Sequence, residues 1–381
     1  MLGKIEAVDA NTYRCWVPGQ YNEQGRNRQT SWHYFRMENV RGRPLSITMT
    51  DLVGEYNNRP GAVPHGPDNG PAYSTDGTTW SYFTGDQFTW DDEKKEATIR
   101  FTPETDVLWI AHQPPYTPAD LDRLLQEIHK SPTTRIEIVG KTVGGRDLPM
   151  VTVTDFDVPD EGKKCVWLQA RQHAWEAGTS YVMEGALRFI TSDDPRAAEL
   201  RKAIVFRFLP MADIDGCATG KVRFNANGFD LNRNWLAVDL RDPKMLEQMP
   251  EIWYTKKAIA AAHAAGPKIE LMVNLHNTER GEYLATSVDD NEVFARYQAL
   301  YDGLVERSQF EPSQKLQKPN PKAIVQSPND TANSIWQTHR ISCALMELRT
   351  STTKKLDRRP TPKDRMQFGK ELIVEMAETV R

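Results

Sequence analysis

His173 and Glu176 stand three residues apart in the run Arg-Gln-His-Ala-Trp-Glu at 171–176. On a helical turn that spacing puts an imidazole and a carboxylate on one face, and zinc takes that pair of ligands readily. A zinc centre needs a third protein ligand, and His276, at the end of the apolar run 269–275, offers one. A hydrolase also needs a general base. Glu347 supplies a candidate in Met-Glu-Leu-Arg at 346–349, after another apolar stretch. These side chains predict a zinc hydrolase holding one ion.

What must position them is a buried sheet. After residue 131 the pattern alternates between strands (135–139, 150–154, 164–169, 204–209, 269–275, 343–348) and helices (177–190, 252–265, 292–306, 365–380). Phe368, Leu372, Ile373 and Met376 recur at helical spacing in the last of these. Several strands are near-continuous apolar runs, which suits a sheet covered on both faces. Sites in such sheets form beyond the carboxyl ends of strands. His173 follows 164–169, His276 ends 269–275 and Glu347 ends its own strand, so three separated residues converge on one region.

The first 115 residues read differently. Short runs of β-formers at 32–37, 45–49 and 107–111 are separated by turn signals at 41–44, 59–71, 75–77 and 90–92, the pattern of a small β-sandwich. Gln113-Pro114-Pro115-Tyr116 marks a boundary. Thr117, Pro118 and Asp120 then open a helix whose Leu121, Leu124, Leu125 and Ile128 share one face. The expected architecture is an all-β sandwich domain at 1–115, followed at 116–381 by an α/β/α domain with a mixed sheet.

The net charge of −4 argues against a nucleic-acid partner. No stretch reaches the ~18 apolar residues of a membrane span, and the first residues lack the apolar core of a signal peptide. The expectation is a cytoplasmic protein with no membrane partner. Cys15, Cys165, Cys217 and Cys343 are far apart, without a CxxC pair, and read as free thiols. Oligomeric state is not legible.

The chain resembles the M14 zinc carboxypeptidases of the carboxypeptidase A type, and among them the cytosolic carboxypeptidase branch. The resemblance rests on Ala170–Glu176, Leu209-Pro210-Met211 with Asp215-Gly216, Gly228–Trp235 containing Asp-Leu-Asn-Arg-Asn, Leu275-His276, and Glu347-Leu348-Arg349, in family order. It implies a carboxypeptidase-like catalytic domain acting on the C-terminal bond of peptides or protein tails. His173, Glu176 and His276 would hold one Zn2+, in a His2Glu set already known for carboxypeptidase A. Glu347 would activate the zinc-bound water. Arg223 would stabilise the oxyanion, with Lys221 and Arg241 as alternatives. Asn232 and Arg233 would hold the substrate carboxylate. The branch often takes acidic C-terminal residues, and Lys315, Lys318, Lys322, Arg340 and Arg349 are candidates for a basic pocket.

Three departures bear on substrate identity and on the closing step. Trp175 replaces the family arginine before the metal-binding Glu, and Ala174-Trp175 stands where the branch often has Gly or Pro. No tyrosine lies between Tyr301 and Glu347, where the family has one on a mobile loop. Two other readings stay open: a zinc amidase or deacylase on the same scaffold, and a non-catalytic peptide-binding module. A simpler role for Glu347 is an ion pair with Arg349 or Arg340. His33, His65, His112, His129, His263 and His339 are assigned no chemistry.

Overall fold

In the computed structural model, which describes residues 3–279, 281–319 and 329–381, the later strands form one seven-stranded sheet. Its order is Thr134–Lys141, Asp147–Val153, Ile204–Leu209, Lys164–Ala170, Ile269–Thr278, Cys343–Arg349 and Tyr283–Thr286. The four strands from Ile204–Leu209 to Cys343–Arg349 pair in parallel, and the pairs outside them are antiparallel. The sheet is mixed, as expected.

Both faces are covered, and the central strands are largely apolar, with Gln169, Asn274, His276 and Glu347 toward their carboxyl ends. Val166, Leu168, Val273 and Met346 pack under helices Ala177–Ile190, Asn291–Arg307 and Pro362–Val380. Cys165, Trp167, Met272 and Cys343 face helices Pro250–Ala265 and Thr331–His339 on the other side. Helices Ala177–Ile190 and Pro362–Val380 cross so closely that a Cβ on Gly185 would stand 1.9 Å from the carbonyl oxygen of Met366. Only glycine admits that contact.

The helix Pro118–Ile128 begins as its sequence predicts, with the Asp120 carboxylate accepting from the Thr117 N–H and hydroxyl, each at 2.7 Å. Thr361 and Asp364 repeat the device, so the last helix starts at Pro362 rather than 365. Two elements near the site were not foreseen. Strand Tyr283–Thr286 is only four residues long, and helix Thr331–His339 is too polar to show a clear apolar stripe.

The N-terminal region is β-rich. A five-stranded sheet and a four-stranded sheet enclose Ile47, Met49, Ile99, Leu108 and Ile110. The run 32–37 is paired only from Tyr34 to Glu38. A separate hairpin, Gly54–Tyr56 with Arg59–Ala62, projects from these sheets. All four cysteines are free, and no described helix is long and apolar enough to cross a membrane. Residues 320–322 lie outside the described residues, and 315–319 carry no regular structure.

His33, His65 and His112 meet in the interior, with ring centroids 5.2–5.9 Å apart, beside Arg359. Burial, reinforced by the charge of Arg359, holds all three below the ordinary imidazole value, His65 at about 4. The unfolded chain therefore binds protons below about pH 6.5 that the folded chain refuses. Stability is full above that pH and falls as the pH drops toward 4, by roughly 1.4 kcal/mol per pH unit for each proton. An NMR titration should find none of the three protonating near 6.5; ordinary titration there would contradict this account.

Candidate functional site

Strand Lys164–Ala170 delivers the chain to the carboxyl end of the sheet. There Arg171 takes a left-handed backbone conformation, φ 61°, uncommon for a non-glycine residue. Its buried guanidinium donates to the carbonyls of Ala174 (2.6 and 3.2 Å) and Tyr116 (3.1 Å) and to Ser180 Oγ (2.9 Å). That clamp curls 171–176 back on itself. His173 and Glu176 consequently lie on a tight turn, closed by the Glu176 N–H on the His173 carbonyl at 3.2 Å. They are not on a helix, as the spacing suggested. The helix begins only at Ala177 with Glu176 as its cap, and the turn brings the two side chains together all the same.

His173 Nδ1 lies 2.8 Å from Glu176 Oε1, and His276 Nδ1 lies 3.0 Å from Glu176 Oε2 and 3.2 Å from His173 Nδ1. The three residues form the one group of described side chains that could hold a metal ion, and all are buried. Tetrahedral ligands at about 2.1 Å from zinc stand roughly 3.4 Å apart, so the spacing fits with a slight expansion. The outer nitrogens are held elsewhere. His173 Nε2 donates to Asp230 Oδ1 at 3.0 Å, and His276 Nε2 lies 3.3 Å from Gln172 Oε1. A proton on each Nε2 leaves both Nδ1 lone pairs facing Glu176. Glu176 Oε2 is buried without a donor, an orphaned acceptor where a cation would sit.

Electrostatics agree. Burial pushes the Glu176 carboxyl up, but His276 and His173 outweigh it and hold the group at about 2. Burial lowers the His276 imidazole, against the Glu176 carboxylate, which raises it.

Glu347 is set by register. It pairs with His276 across the parallel strands Ile269–Thr278 and Cys343–Arg349. It makes no ion pair with Arg349 or Arg340: Arg349 donates to the Thr352 carbonyl at 2.8 Å and Arg340 lies over Trp336. Glu347 Oε2 is buried without a partner, and burial, then the charge of Glu176, raise its pKa well above the carboxylate range.

Arg223 Nε donates to Asp230 Oδ2 at 2.7 Å, and burial of the pair drives Asp230 up while Arg223 and His173 pull it well below the ordinary value. Arg241 instead pairs with exposed Asp239, and Lys221 makes no described contact with this cluster. Asn232 Oδ1 accepts from the Thr331 N–H and hydroxyl, which leaves Asn232 Nδ2 3.4 Å from His276 Nε2. Asn232 and Arg233 line a cavity of about 580 Å³ with Asn57, Asn274, Ser287 and Asp330. Among the basic residues expected to line a pocket, Lys315, Lys318, Arg340 and Arg349 do not line this one, and Lys322 lies outside the described residues. Lys318 reaches Asn291 instead.

Sequence reasoning missed Asp230, Gln172 and Glu279. Asp230 was legible within Asp-Leu-Asn-Arg-Asn; the other two carry no local signal. Glu279 accepts from Ser31 Oγ at 3.2 Å and is raised by burial. It also missed Gln20, far away in the chain. Gln20 Oε1 accepts from the N–H groups of Val222, Arg223 and Phe224 at 2.8, 2.7 and 3.1 Å, and its Nε2 donates to the Phe224 carbonyl at 2.7 Å.

Fold and converging side chains define a carboxypeptidase-like α/β protein with a candidate metal centre behind a β-rich domain. The chain belongs to the M14 zinc carboxypeptidase family, whose description, Zinc carboxypeptidase, matches residues 121–338. Residues 2–112 match the Cytosolic carboxypeptidase N-terminal domain. It is similar to human cytosolic carboxypeptidase 2, 30% identical over 253 residues, covering 61% of this chain and 27% of that protein. An uncharacterized protein of Zymomonas mobilis is 30% identical over 249 residues, 64% of this chain and 60% of that one. The chain thus spans about a quarter of the human relative's length. A metallo-carboxypeptidase structure from Burkholderia cenocepacia has the same fold, with a TM-score of 0.82 at 22% identity over 99% of this chain and 96% of that one. One from Pseudomonas aeruginosa gives 0.80 at 19% identity, over 99% and 95%.

Gln20→Ala would strand three backbone donors and one acceptor around Arg223. We expect a loss of about 4 kcal/mol or more in stability, at about 1–3 kcal/mol per buried unmet group, with faster hydrogen exchange at 222–224. Unchanged exchange there would show that Gln20 does not hold this segment.

Proposed function

We propose that the chain is a zinc-dependent metallocarboxypeptidase that removes C-terminal residues from peptides or protein tails. The observation that carries this is the convergence of His173 Nδ1, His276 Nδ1 and an orphaned Glu176 oxygen beside Glu347, whose Oε2 is buried without a partner. His173, Glu176 and His276 would hold one ion, with Asp230 and Gln172 fixing the two rings. Bound zinc supplies the electrophilic charge that polarises a carbonyl and acidifies water.

Glu347 takes the proton of the attacking water and hands it to the leaving amine. Its burial without an ion-pair partner supports that role, because a carboxylate kept only for structure would be costly there. Arg223, oriented by Asp230, stabilises the oxyanion. Arg233 and Asn232 at the cavity hold the substrate's terminal carboxylate, where a guanidinium makes paired hydrogen bonds. A cationic Arg233 in the cavity lining supports the carboxypeptidase reading over an amidase or deacylase, which needs no carboxylate anchor. Glu347 favours an enzyme over a peptide-binding module. A preference for acidic C-terminal residues, drawn from the branch, gains no support from the described lining of the cavity. The working unit is read as two domains, 1–115 and 116–381, in the cytoplasm, in keeping with the names of the relatives.

In a panel of peptides with free and amidated C-termini, the zinc-loaded protein should cleave only the free ones. Glu347→Gln should lower kcat by about 10²–10⁴ while zinc content is kept. Equal cleavage of amidated peptides would favour the amidase. Separately, Asp230→Asn should weaken zinc binding by roughly 10–100-fold, measured by competition with a chelator; unchanged affinity would remove Asp230 from that role.

A further inference from the structure

The hairpin Gly54–Ala62 leaves the β-rich domain and reaches the candidate site. Its tip is Asn57-Asn58, both with positive φ (50° and 62°), the turn geometry that joins two strands most tightly. Asn57 is part of the wall of the 580 Å³ cavity, together with Asn232, Arg233 and Asp330. The ring of Tyr56, beside it, lies 6.0 Å from the Arg223 guanidinium. Resting on the carboxypeptidase reading, we infer that this hairpin is a wall of the pocket for the substrate's C-terminal side chain, and that Asn57 is a specificity-determining residue.

The hairpin is held, not merely near. Glu55 N–H donates to the Arg28 carbonyl at 2.6 Å, Gln29 Nε2 to the Glu55 carbonyl at 2.8 Å, and Asn27 N–H to Glu55 Oε2 at 2.7 Å. Asn27 Oδ1 also accepts from the Asn58 N–H at 3.3 Å. The same segment, joined through the Gln20–Gln29 bridge, grips Val222–Phe224 and, by the Glu23 N–H on the Gly228 carbonyl at 3.1 Å, the start of the loop bearing Asp230. Gly228 has φ 90°, and a Cβ there would meet the Glu23 nitrogen at 2.5 Å. One strap therefore fixes the hairpin tip relative to Arg223.

The polar part of the described wall is amide and hydroxyl, from Asn57, Asn274, Asn333 and Ser287, beside the apolar Ala285, Ala332 and Leu345, with Asp330 and Arg233 as its charges. Arg233 answers the terminal carboxylate, which leaves Asp330 as the charge facing a side chain. Burial raises its pKa, and among the described residues its side-chain oxygens accept from Asn333 alone, at 2.6 and 2.7 Å. Such a wall takes a polar or cationic C-terminal side chain in preference to an anionic one.

Asn57→Asp keeps the shape, tolerates the left-handed backbone and adds one negative charge. The ratio of kcat/KM for C-terminal Lys over C-terminal Glu peptides should rise at least tenfold, while C-terminal Ala peptides change less than twofold. Asn58→Asp, which adds the same charge one residue away but outside the cavity, should leave the ratio unchanged. A hairpin that only supports the fold would move all three substrates together and would overturn the inference. So would an equal shift in both variants. The same Kd ratio, measured by calorimetry on the Glu347→Gln background, reads the pocket without turnover. A tenfold shift there sustains the inference even if the wild type cleaves nothing, and no shift there overturns it.

Discussion

Glu176 puts a carboxylate in the interior between two imidazoles, and the rest of the site exists to make that tolerable. Taking a carboxylate out of water costs several kcal/mol even after relaxation. The chain meets this by fixing each partner from outside. Arg171 pins the turn, Gln113 Nε2 ties the Trp175 carbonyl at 2.8 Å, and Asp230 and Gln172 hold the outer nitrogens of the two histidines. One lone pair on each ring is thereby kept pointing inward. The strain at Arg171 and the orphaned oxygen of Glu176 make sense only together. On the proposed metal reading they are the local cost of keeping three ligands ready for a cation.

The β-rich domain belongs to the same construction. Gln20 satisfies three consecutive backbone donors next to Arg223, and Ser31 reaches Glu279 close to Glu347. The later α/β region cut free of residues 20–31 would lose the partner of those buried groups. This gives a physical reason for the two regions to occur on one chain: the first completes hydrogen bonds that the second cannot meet alone.

Much of this was legible in the sequence, for reasons that differ by element. Strand 204–209 and helix 177–190 have the expected bounds because both are continuous apolar or patterned runs. Glu347 was legible because an acid after an apolar strand has few other uses. The turn at 171–176 was misread as helical because three-residue spacing is shared by helices and tight turns, and nothing local shows that Arg171 adopts positive φ. Asp230 sat unread inside a quoted motif. Gln20, Gln172 and the hairpin tip act through partners up to about two hundred residues away, and a single sequence holds no trace of such pairings. Of the basic residues put forward for a pocket, Arg340 lies over Trp336 and Arg349 donates to the Thr352 carbonyl, both local contacts.

The most direct test of the account is zinc stoichiometry by competitive titration of the wild type against His276→Ala, with His263→Ala as the control on a distant helix. The account predicts one tightly bound zinc per chain in the wild type and the control, and none in His276→Ala. Undiminished zinc in His276→Ala would contradict the central claim that His173, Glu176 and His276 form the metal centre.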